Sequence, residues 1–313
     1  KNLEWKDIFY SNNNNFRNFK YSNLNQIVYK SKKLSKNVID NFTIFEDGNL
    51  IFNDQKGNII VFSISKNIII SKFNFYKKKF KGLNKKLNFI VEKNIIYVSD
   101  NIGYLYAYNY RTNKILWAKN YKIPFRSNLK LSKDKLFASN QNNDFYVFEK
   151  NSGNFLKLVP TEETVLKNQF VNNLSINENS LIFLNTYGSL YSMNIKTLKL
   201  NWFINLNKSS DINLNNIFFG NQIVSQNGKI VVSSNQYLYI IDQNNGSIIS
   251  KKNFSSKIKP ILSNNYLFLV SKNNLLISMD LNNGNIIYSY DISDKVAEYL
   301  NLKKKKIEIR NIM

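Results

Sequence analysis

One pattern recurs six times along the chain, and this repetition constrains the fold more than any other feature. The pattern is a turn of small or polar residues, an alternating apolar run, a turn rich in Asn and Asp, and another apolar run. Six turn positions mark it, at spacings of 46, 40, 45, 48 and 38 residues: Gly57, Gly103, Asn143, Gly188, Gln236 and Asn274. Self-similarity at such a period indicates a repeat architecture.

A second column of residues stands ten positions after each turn position. Its members are Asn67, Asn113, Gly153, Leu198, Gly246 and Gly284. Gly and Asn tolerate the left-handed backbone region, whereas a bulky Cβ is penalised there. The column therefore predicts that every repeat contains a short hairpin loop ending in a left-handed residue. Only Leu198 breaks the column.

The apolar runs predict four strands in each repeat. The runs that precede the turn positions are residues 50–52, 95–98, 136–138, 181–184, 230–232 and 267–270. A further apolar segment, such as residues 174–176, supplies a fourth strand. Apolar residues alternate here instead of recurring every three or four positions, which argues against a helical repeat. Four strands in about 40 to 45 residues is the period of a propeller blade. We expect an all-β fold, a β-propeller of four-stranded antiparallel blades, in which residues 1–313 form a single domain.

The formal net charge of +23 suggests nucleic acid as a partner, but the distribution of the charge opposes this interpretation. Only four of the 44 basic residues are Arg, the side chain that makes bidentate contacts to phosphate and guanine. The lysines are spread over every repeat, and a chain rich in Lys, Asn and Ile is typical of a genome rich in A and T. We expect no nucleic-acid partner, and we interpret the Lys clusters at residues 77–79, 85–86 and 303–306 as solvated loops.

The chain has no Cys and no His, which removes several classes of chemistry. Disulfides, thiolate nucleophiles, His-based triads and zinc sites of the Cys/His type are all excluded. The carboxylates fall mostly in predicted turns, where Asx residues stabilise the local backbone: Asp47, Asp100, Asp134, Asp242 and Asp280. We predict no catalytic residue, no cofactor and no metal, and we expect that the chain is not an enzyme. A glycosidase pair of carboxylates brought together by loops is the alternative that this composition leaves open.

Residues 100–117 resemble the quinoprotein-type (PQQ-like) propeller repeat, in which a Gly-x-Leu-Tyr-Ala-Leu-Asp strand leads through a Thr-Gly turn to a Trp. Residues 188–202 repeat the pattern, and residues 239–246 and 279–284 fit its middle. Enzymes of this family hold a quinone and a calcium ion, commonly beside a Cys pair that is absent here. Trp117 and Trp202 are interpreted as packing residues between blades.

In size and texture the chain most resembles the BamB family, periplasmic lipoproteins of the machinery that inserts β-barrels into the bacterial outer membrane. This resemblance implies a non-enzymatic scaffold at the periplasmic face of the outer membrane, with a lipid anchor outside this chain. It also implies a monomer that works within a complex and binds the periplasmic domains of a BamA-like insertase. The family norm of eight blades implies that the domain is truncated after Met313.

In that family the partner surface lies on loops between blades, with an apolar-x-apolar-Arg segment and an acidic segment one blade later. Ile123, Phe125 and Arg126 match the first segment, and Glu162 and Glu163 fall in the next loop, although the family's usual acid there is Asp. The resemblance therefore predicts these five as partner-binding residues.

The residues themselves allow two interpretations of this segment. Pro124 cannot donate to a strand ladder, so the segment is predicted to be a loop. Ile123 and Phe125 beside Arg126 make an interface anchor, or the two apolar side chains fold back onto the blade and Arg126 pairs with a carboxylate. For the whole protein, the alternative to a scaffold is a periplasmic propeller that binds a small molecule or a glycan at its central mouth, as a sensor or a degenerate quinoprotein.

The two ends of the chain predict how a ring of blades would close. Residues 305–313 are predicted to form a first strand, and residues 27–30 a last strand. The termini would then share one incomplete blade beside six complete ones, giving about seven or eight blades in the full-length protein.

Overall fold

A computed structural model describes the chain over most of its length. The described residues are 4–16, 30–76, 80–159, 161–164, 171–207 and 218–302. The contacts divide the chain into two compact units: residues 1–12 with 17–172, and residues 13–16 with 173–313. The N-terminal segment that precedes the first strand therefore belongs partly to unit 1 and partly to unit 2.

Unit 1 contains three four-stranded antiparallel sheets, in each of which every strand pairs with the next along the chain. The first sheet consists of β1 (Ile39–Glu46), β2 (Asn49–Asp54), β3 (Asn58–Ser63) and β4 (Ile68–Asn74). The second consists of β5 (Leu87–Glu92), β6 (Ile95–Asp100), β7 (Tyr104–Asn109) and β8 (Lys114–Asn120). The third consists of β9 (Lys130–Ser132), β10 (Lys135–Ser139), β11 (Phe145–Glu149) and β12 (Phe155–Val159).

Unit 2 repeats this arrangement and ends in a short helix. The fourth sheet consists of β13 (Asn173–Asn177), β14 (Ser180–Leu184), β15 (Ser189–Asn194) and β16 (Leu200–Asn205). The fifth consists of β17 (Val224–Gln226), β18 (Lys229–Ser233), β19 (Leu238–Asp242) and β20 (Ile248–Lys252). The sixth consists of β21 (Ile261–Ser263), β22 (Tyr266–Val270), β23 (Leu275–Asp280) and β24 (Ile286–Asp291), and the helix is α1 (Ile292–Leu300). No helix among the described residues combines the length and the apolar character that crossing a membrane requires.

These sheets confirm the predicted four-stranded repeat. Each of the six apolar runs lies in the second strand of its sheet, and residues 174–176 lie in β13. The predicted incomplete blade lies outside the described residues, apart from Lys30, which is in no strand. The Lys clusters at residues 77–79 and 303–306 also lie outside them.

The loop between the third and fourth strands has the predicted left-handed residue in every described sheet. The φ angles are 55° at Asn67, 54° at Asn113, 66° at Gly153, 57° at Leu198, 76° at Gly246 and 72° at Gly284. Leu198 thus breaks the column in residue type but not in conformation. Its backbone N–H donates to the carbonyl of Asn194 at 2.8 Å, so the turn keeps its hydrogen bond. The leucine adopts this φ although its Cβ makes the left-handed region unfavourable.

The turn between the second and third strands is stabilised by a side-chain acceptor at the end of the second strand. Asp100 Oδ1, for example, accepts hydrogen bonds from the backbone N–H groups of Ile102, Gly103 and Tyr104. The equivalent acceptors in the other sheets are Asp54, Asn140, Asn185, Ser234 and Ser271. Among the predicted turn positions Gln236 lacks a left-handed φ, and there Ser234 Oγ caps the turn instead.

Neighbouring sheets within each unit pack through the Trp residues that the repeat predicted. The indole N–H of Trp117 in β8 donates to the carbonyl of Lys150 in the third sheet at 3.0 Å. The ring also covers Gly153, where an added Cβ would lie less than 3.0 Å from three ring atoms. In unit 2, Trp202 makes the same contact to Gly246 and donates to the carbonyl of Gln243 at 2.8 Å. Both tryptophans are therefore confirmed as packing residues between sheets.

Candidate partner-binding surface

The segment of residues 123–126 forms the connection between β8 and β9, as predicted for a loop between blades. Ile123 is half-buried, and its backbone N would lie only 2.9 Å from a Cβ placed on Gly103. Only a glycine there allows the loop to approach this closely. The backbone N–H of Phe125 donates to the carbonyl of Asp100 at 2.9 Å, which ties the loop to the second sheet.

Phe125 was predicted to contact a partner, but the structure places its ring in the core. The residue is only 2% exposed, and the rings of Tyr121, Tyr146 and Phe148 surround it with centroids 5.9, 6.5 and 6.4 Å away. Burial among these aromatic rings removes the Phe125 ring from water and stabilises its position. The interpretation that the apolar side chains fold back is therefore correct for Phe125, and its ring fixes the loop instead of presenting itself to a partner.

Arg126 follows directly and is held by its backbone to the third sheet. Its N–H donates to the carbonyl of Ser139 at 2.9 Å, and its carbonyl accepts from the N–H of Asn172 at 2.7 Å. The guanidinium is half-buried, and burial lowers the pKa of Arg126. Within the described residues its Nη1 is buried without a hydrogen-bond partner, so the ion pair of the second interpretation is not formed there. Arg111, by contrast, pairs with Asp47.

The hairpin turn that connects β10 and β11, residues 140–144, joins the two predicted segments. On one side the N–H of Gln141 donates to the carbonyl of Pro124 at 2.9 Å. On the other side Nδ2 of Asn143 donates to the carbonyl of Glu162 at 3.1 Å. We call residues 123–126, 140–144 and 161–164 together the Arg126 surface. The sequence marked Asn143 as a turn position but gave no signal that this turn bridges the two segments.

Negative charge collects on the side of the hairpin that faces residues 161–164. Glu162 and Glu163 are both exposed. Asp144 Oδ2 accepts from Nδ2 of Asn140 at 2.6 Å and from the hydroxyl of Tyr146 at 3.2 Å. Burial, together with the charges of Asp144 and Glu163, raises the pKa of Tyr146 to about 12, so the phenol stays protonated and remains a donor. The Arg126 surface therefore carries a cation before the hairpin and carboxylates after it.

A second polar site, which the sequence did not reveal, lies in unit 1 beside β1 and β9, the first strands of the first and third sheets. Lys130 in β9 is fully buried, and its Nζ donates to Asp7 Oδ2 at 2.5 Å and to the carbonyl of Ser11 at 2.9 Å. Burial lowers the pKa of Lys130, and Asp7 opposes this shift. The same N-terminal segment bonds Trp5 to Phe45 of β1 through both backbone groups, at 2.8 and 3.0 Å. The ion pair and the two backbone bonds thus hold residues 4–12 against β9 and β1, the first strands of the third and first sheets.

In unit 2 the Asn tract has the corresponding role. Nδ2 of Asn14 donates to the carbonyls of Leu174 and Ile223 at 2.8 and 2.9 Å. Asn15 exchanges two hydrogen bonds with the backbone of Leu262 in β21, at 2.7 and 3.0 Å. The tract is therefore a structural element and not a low-complexity spacer. Among the described residues, no three acidic side chains converge in a way that could hold a metal ion.

Comparisons with known proteins agree with this architecture. A profile described as the outer membrane protein assembly factor BamB matches residues 44–290. A search of curated proteins gave no match. The crystal structure of BamB from Moraxella catarrhalis is 13% identical, with a TM-score of 0.63, covering 78% of this chain and 73% of that one.

Two further solved structures resemble the chain. Quinohemoprotein alcohol dehydrogenase from Comamonas testosteroni is 13% identical with a TM-score of 0.51, and the match covers 65% of this chain and 42% of the dehydrogenase. The Cps50 (Swd1) beta-propeller domain from Myceliophteria thermophila is 10% identical with a TM-score of 0.50, covering 78% and 83%. At these identities the likeness shows the fold, a β-propeller of four-stranded blades. With the match over residues 44–290, the chain belongs to the family of the outer membrane protein assembly factor BamB.

Proposed function

We propose that this chain is a non-enzymatic scaffold of the outer-membrane β-barrel assembly machinery and that it binds the periplasmic domains of a BamA-like insertase through the Arg126 surface. It would act at the periplasmic face of the outer membrane. Membership of the BamB family supports the assignment to this machinery. The geometry of the loops supports the location of the contact.

The observation that carries the proposal is the buried Nη1 of Arg126, which has no hydrogen-bond partner within the described residues. A buried donor left in this way costs about 1–3 kcal/mol. Because Nη1 is inaccessible to solvent, the guanidinium would have to turn outward before a partner carboxylate could satisfy this donor with a charge-assisted, bidentate hydrogen bond. Binding would therefore recover a cost that the free protein carries.

The carboxylates on the far side of the hairpin from Arg126 make the charge distribution of the Arg126 surface asymmetric. A partner with an acidic group opposite Arg126 and a basic group opposite Glu163 can dock in only one orientation. Charge complementarity of this kind mainly sets specificity and the association rate. The burial of Phe125 makes the loop rigid, so little conformational entropy is lost when a partner binds.

The test is a pull-down from envelope extract of the source organism, with partners identified by mass spectrometry. The baits are the parent protein, Arg126→Glu, and Arg111→Glu, which makes the same change of charge at an exposed arginine. We expect the parent and Arg111→Glu to recover an insertase subunit and Arg126→Glu to lose it. Equal recovery with all three baits would remove Arg126 from the contact, and recovery with none would refute the scaffold.

A further inference from the structure

Unit 2 contains a groove of about 460 Å³ between the fifth and sixth sheets. Its rim consists of amides and hydroxyls from the turn after β18, the segment after β20 and the turn after β22. Its apolar wall is formed by Leu275, Ile277 and Ile286. This volume falls in the range of small-molecule pockets, about 300–1,000 Å³.

The groove lies at the same position in the repeat as the Arg126 surface. In the third sheet Phe125 forms an isolated antiparallel bridge with Asn140, and in the sixth sheet Ser256 forms the same bridge with Ser271. The N–H of Lys257 donates to the carbonyl of Val270 at 2.7 Å, as that of Arg126 does to Ser139. Lys257 therefore occupies the repeat position of Arg126.

Within the described residues, the lining of the groove contributes one positive charge, that of Lys272. Its Nζ donates to the carbonyl of Asn235. Two further lysines of this part of unit 2 do not line the groove. Lys257 donates to Asn274 Oδ1 at 3.2 Å, and Nζ of Lys251 lies 3.8 Å from the ring centroid of Tyr237. Over the described part of the chain, none of these three ammonium groups forms an ion pair with a carboxylate.

No carboxylate stands among the described residues that line the groove. On β24 the next acid after the lining residue Ser289 is Asp291, whose Oδ1 accepts from the N–H groups of Ser293 and Asp294 at the start of α1. That carboxylate is engaged as a helix cap. A ligand that enters the groove therefore meets the ammonium group of Lys272 beside an apolar wall, with no carboxylate among the described lining residues.

We propose that this groove binds an extended peptide segment in which an acidic residue stands next to an apolar one. The acidic side chain would pair with Lys272, and the apolar side chain would cover Ile286, which is 50% exposed. Side-chain amides such as Asn273 both donate and accept, which suits the backbone of an extended peptide better than it suits a phosphate. The inference goes beyond the proposed function, because none of these residues belongs to the Arg126 surface.

The test is fluorescence anisotropy with a labelled, end-capped peptide of alternating Glu and Leu. Lys272→Glu is compared with Lys196→Glu, an exposed lysine of the β15–β16 turn, and Ile286→Asp with Ile287→Asp. Ile287 is 51% exposed but does not line the groove, so it matches Ile286 in exposure and differs in position. Removing one charge-assisted contact corresponds to about a tenfold or greater loss of affinity.

We expect Lys272→Glu and Ile286→Asp to weaken binding by that factor, with both control variants and Arg126→Glu binding like the parent protein. A peptide with Gln in place of Glu should bind about tenfold more weakly. The proposal is overturned if the parent does not bind the Glu-Leu peptide, if the Gln peptide binds equally well, or if the paired variants behave alike. It is also overturned if anionic phospholipid vesicles, but not the peptide, bind at Lys272. Because the peptide assay contains no insertase subunit, failure here is distinguishable from failure of the proposed function, which the pull-down tests separately.

Discussion

Replacing Gly153 by Ala tests the packing of neighbouring sheets in unit 1 most sharply. Gly153 has a φ of 66° and lies under the ring of Trp117. The ring cannot move away freely, because its N–H is bonded to the carbonyl of Lys150 and it packs against Tyr97. Gly228 is the matched control, since its φ is 69° and an added Cβ would meet no atom within 4 Å.

The expected magnitudes follow from this pair. An Ala in the left-handed region costs about 1–2 kcal/mol, of which about 0.4–1 kcal/mol is offset by the lower entropy of the unfolded chain. Gly228→Ala should therefore lose about 1 kcal/mol. Gly153→Ala carries in addition an overpacking cost of about 1–3 kcal/mol, for a total of about 2–4 kcal/mol.

The assay is urea unfolding followed by far-ultraviolet circular dichroism, which does not depend on the tryptophan signal. A double variant completes it, because Trp117→Leu removes the ring that the added methyl group would strike. In that background the cost of Gly153→Ala should fall to that of Gly228→Ala, and the two sites in contact should show a coupling energy of about 1–3 kcal/mol. Equal losses for the two Ala variants in the parent background would refute the packing of Trp117 on Gly153.

Three further changes test separate parts of the structure. Leu198→Gly should stabilise the protein by up to about 1 kcal/mol, because it relieves a left-handed φ, and a lower thermal midpoint would contradict this. Burial acts to raise the pKa of Asp54, but hydrogen bonds from groups such as Asn37 outweigh it and lower that pKa. The Asp54 carboxylate therefore stabilises the fold above its unfolded pKa of about 3.9 and loses this effect as pH falls through the folded pKa. The difference in unfolding free energy between the parent and Asp54→Asn should accordingly narrow in acid. A difference independent of pH argues against the assignment. Lys130→Met leaves Asp7 buried and unpaired and should lower the free energy of unfolding in urea by about 3–5 kcal/mol. Adding Asp7→Leu should restore part of that loss in the double variant. Additive losses from the two substitutions would count against the buried pair.

The six sheets could be predicted because each depends on local signals. Strand type follows from alternation of apolar residues, and the hairpin loops follow from a residue type that tolerates a left-handed φ. Leu198 shows where this reasoning stops, since the backbone bonds of the turn set its conformation in spite of its side chain. The predicted blade shared by the termini remains a prediction.

The candidate site was predicted only in part, because its character depends on contacts between distant residues. The sequence placed Ile123 to Arg126 in a loop but could not show that Phe125 enters an aromatic cluster with residues of β11. Lys130 and Asp7 are separated by 123 positions, and nothing distinguishes that lysine from the many exposed ones. That Nη1 of Arg126 has no hydrogen-bond partner among the described residues is likewise visible only in three dimensions.

Docking of the Arg126 surface on the periplasmic domains of the insertase can be measured with purified proteins. The decisive quantity is the dissociation constant for those domains from the same organism, determined by biolayer interferometry for the parent, Arg126→Glu and Arg111→Glu. We expect a loss of about tenfold or more for Arg126→Glu and no change for Arg111→Glu, since only Arg126 would lose a charge-assisted hydrogen bond to the insertase. Equal dissociation constants for all three proteins would contradict the proposed docking.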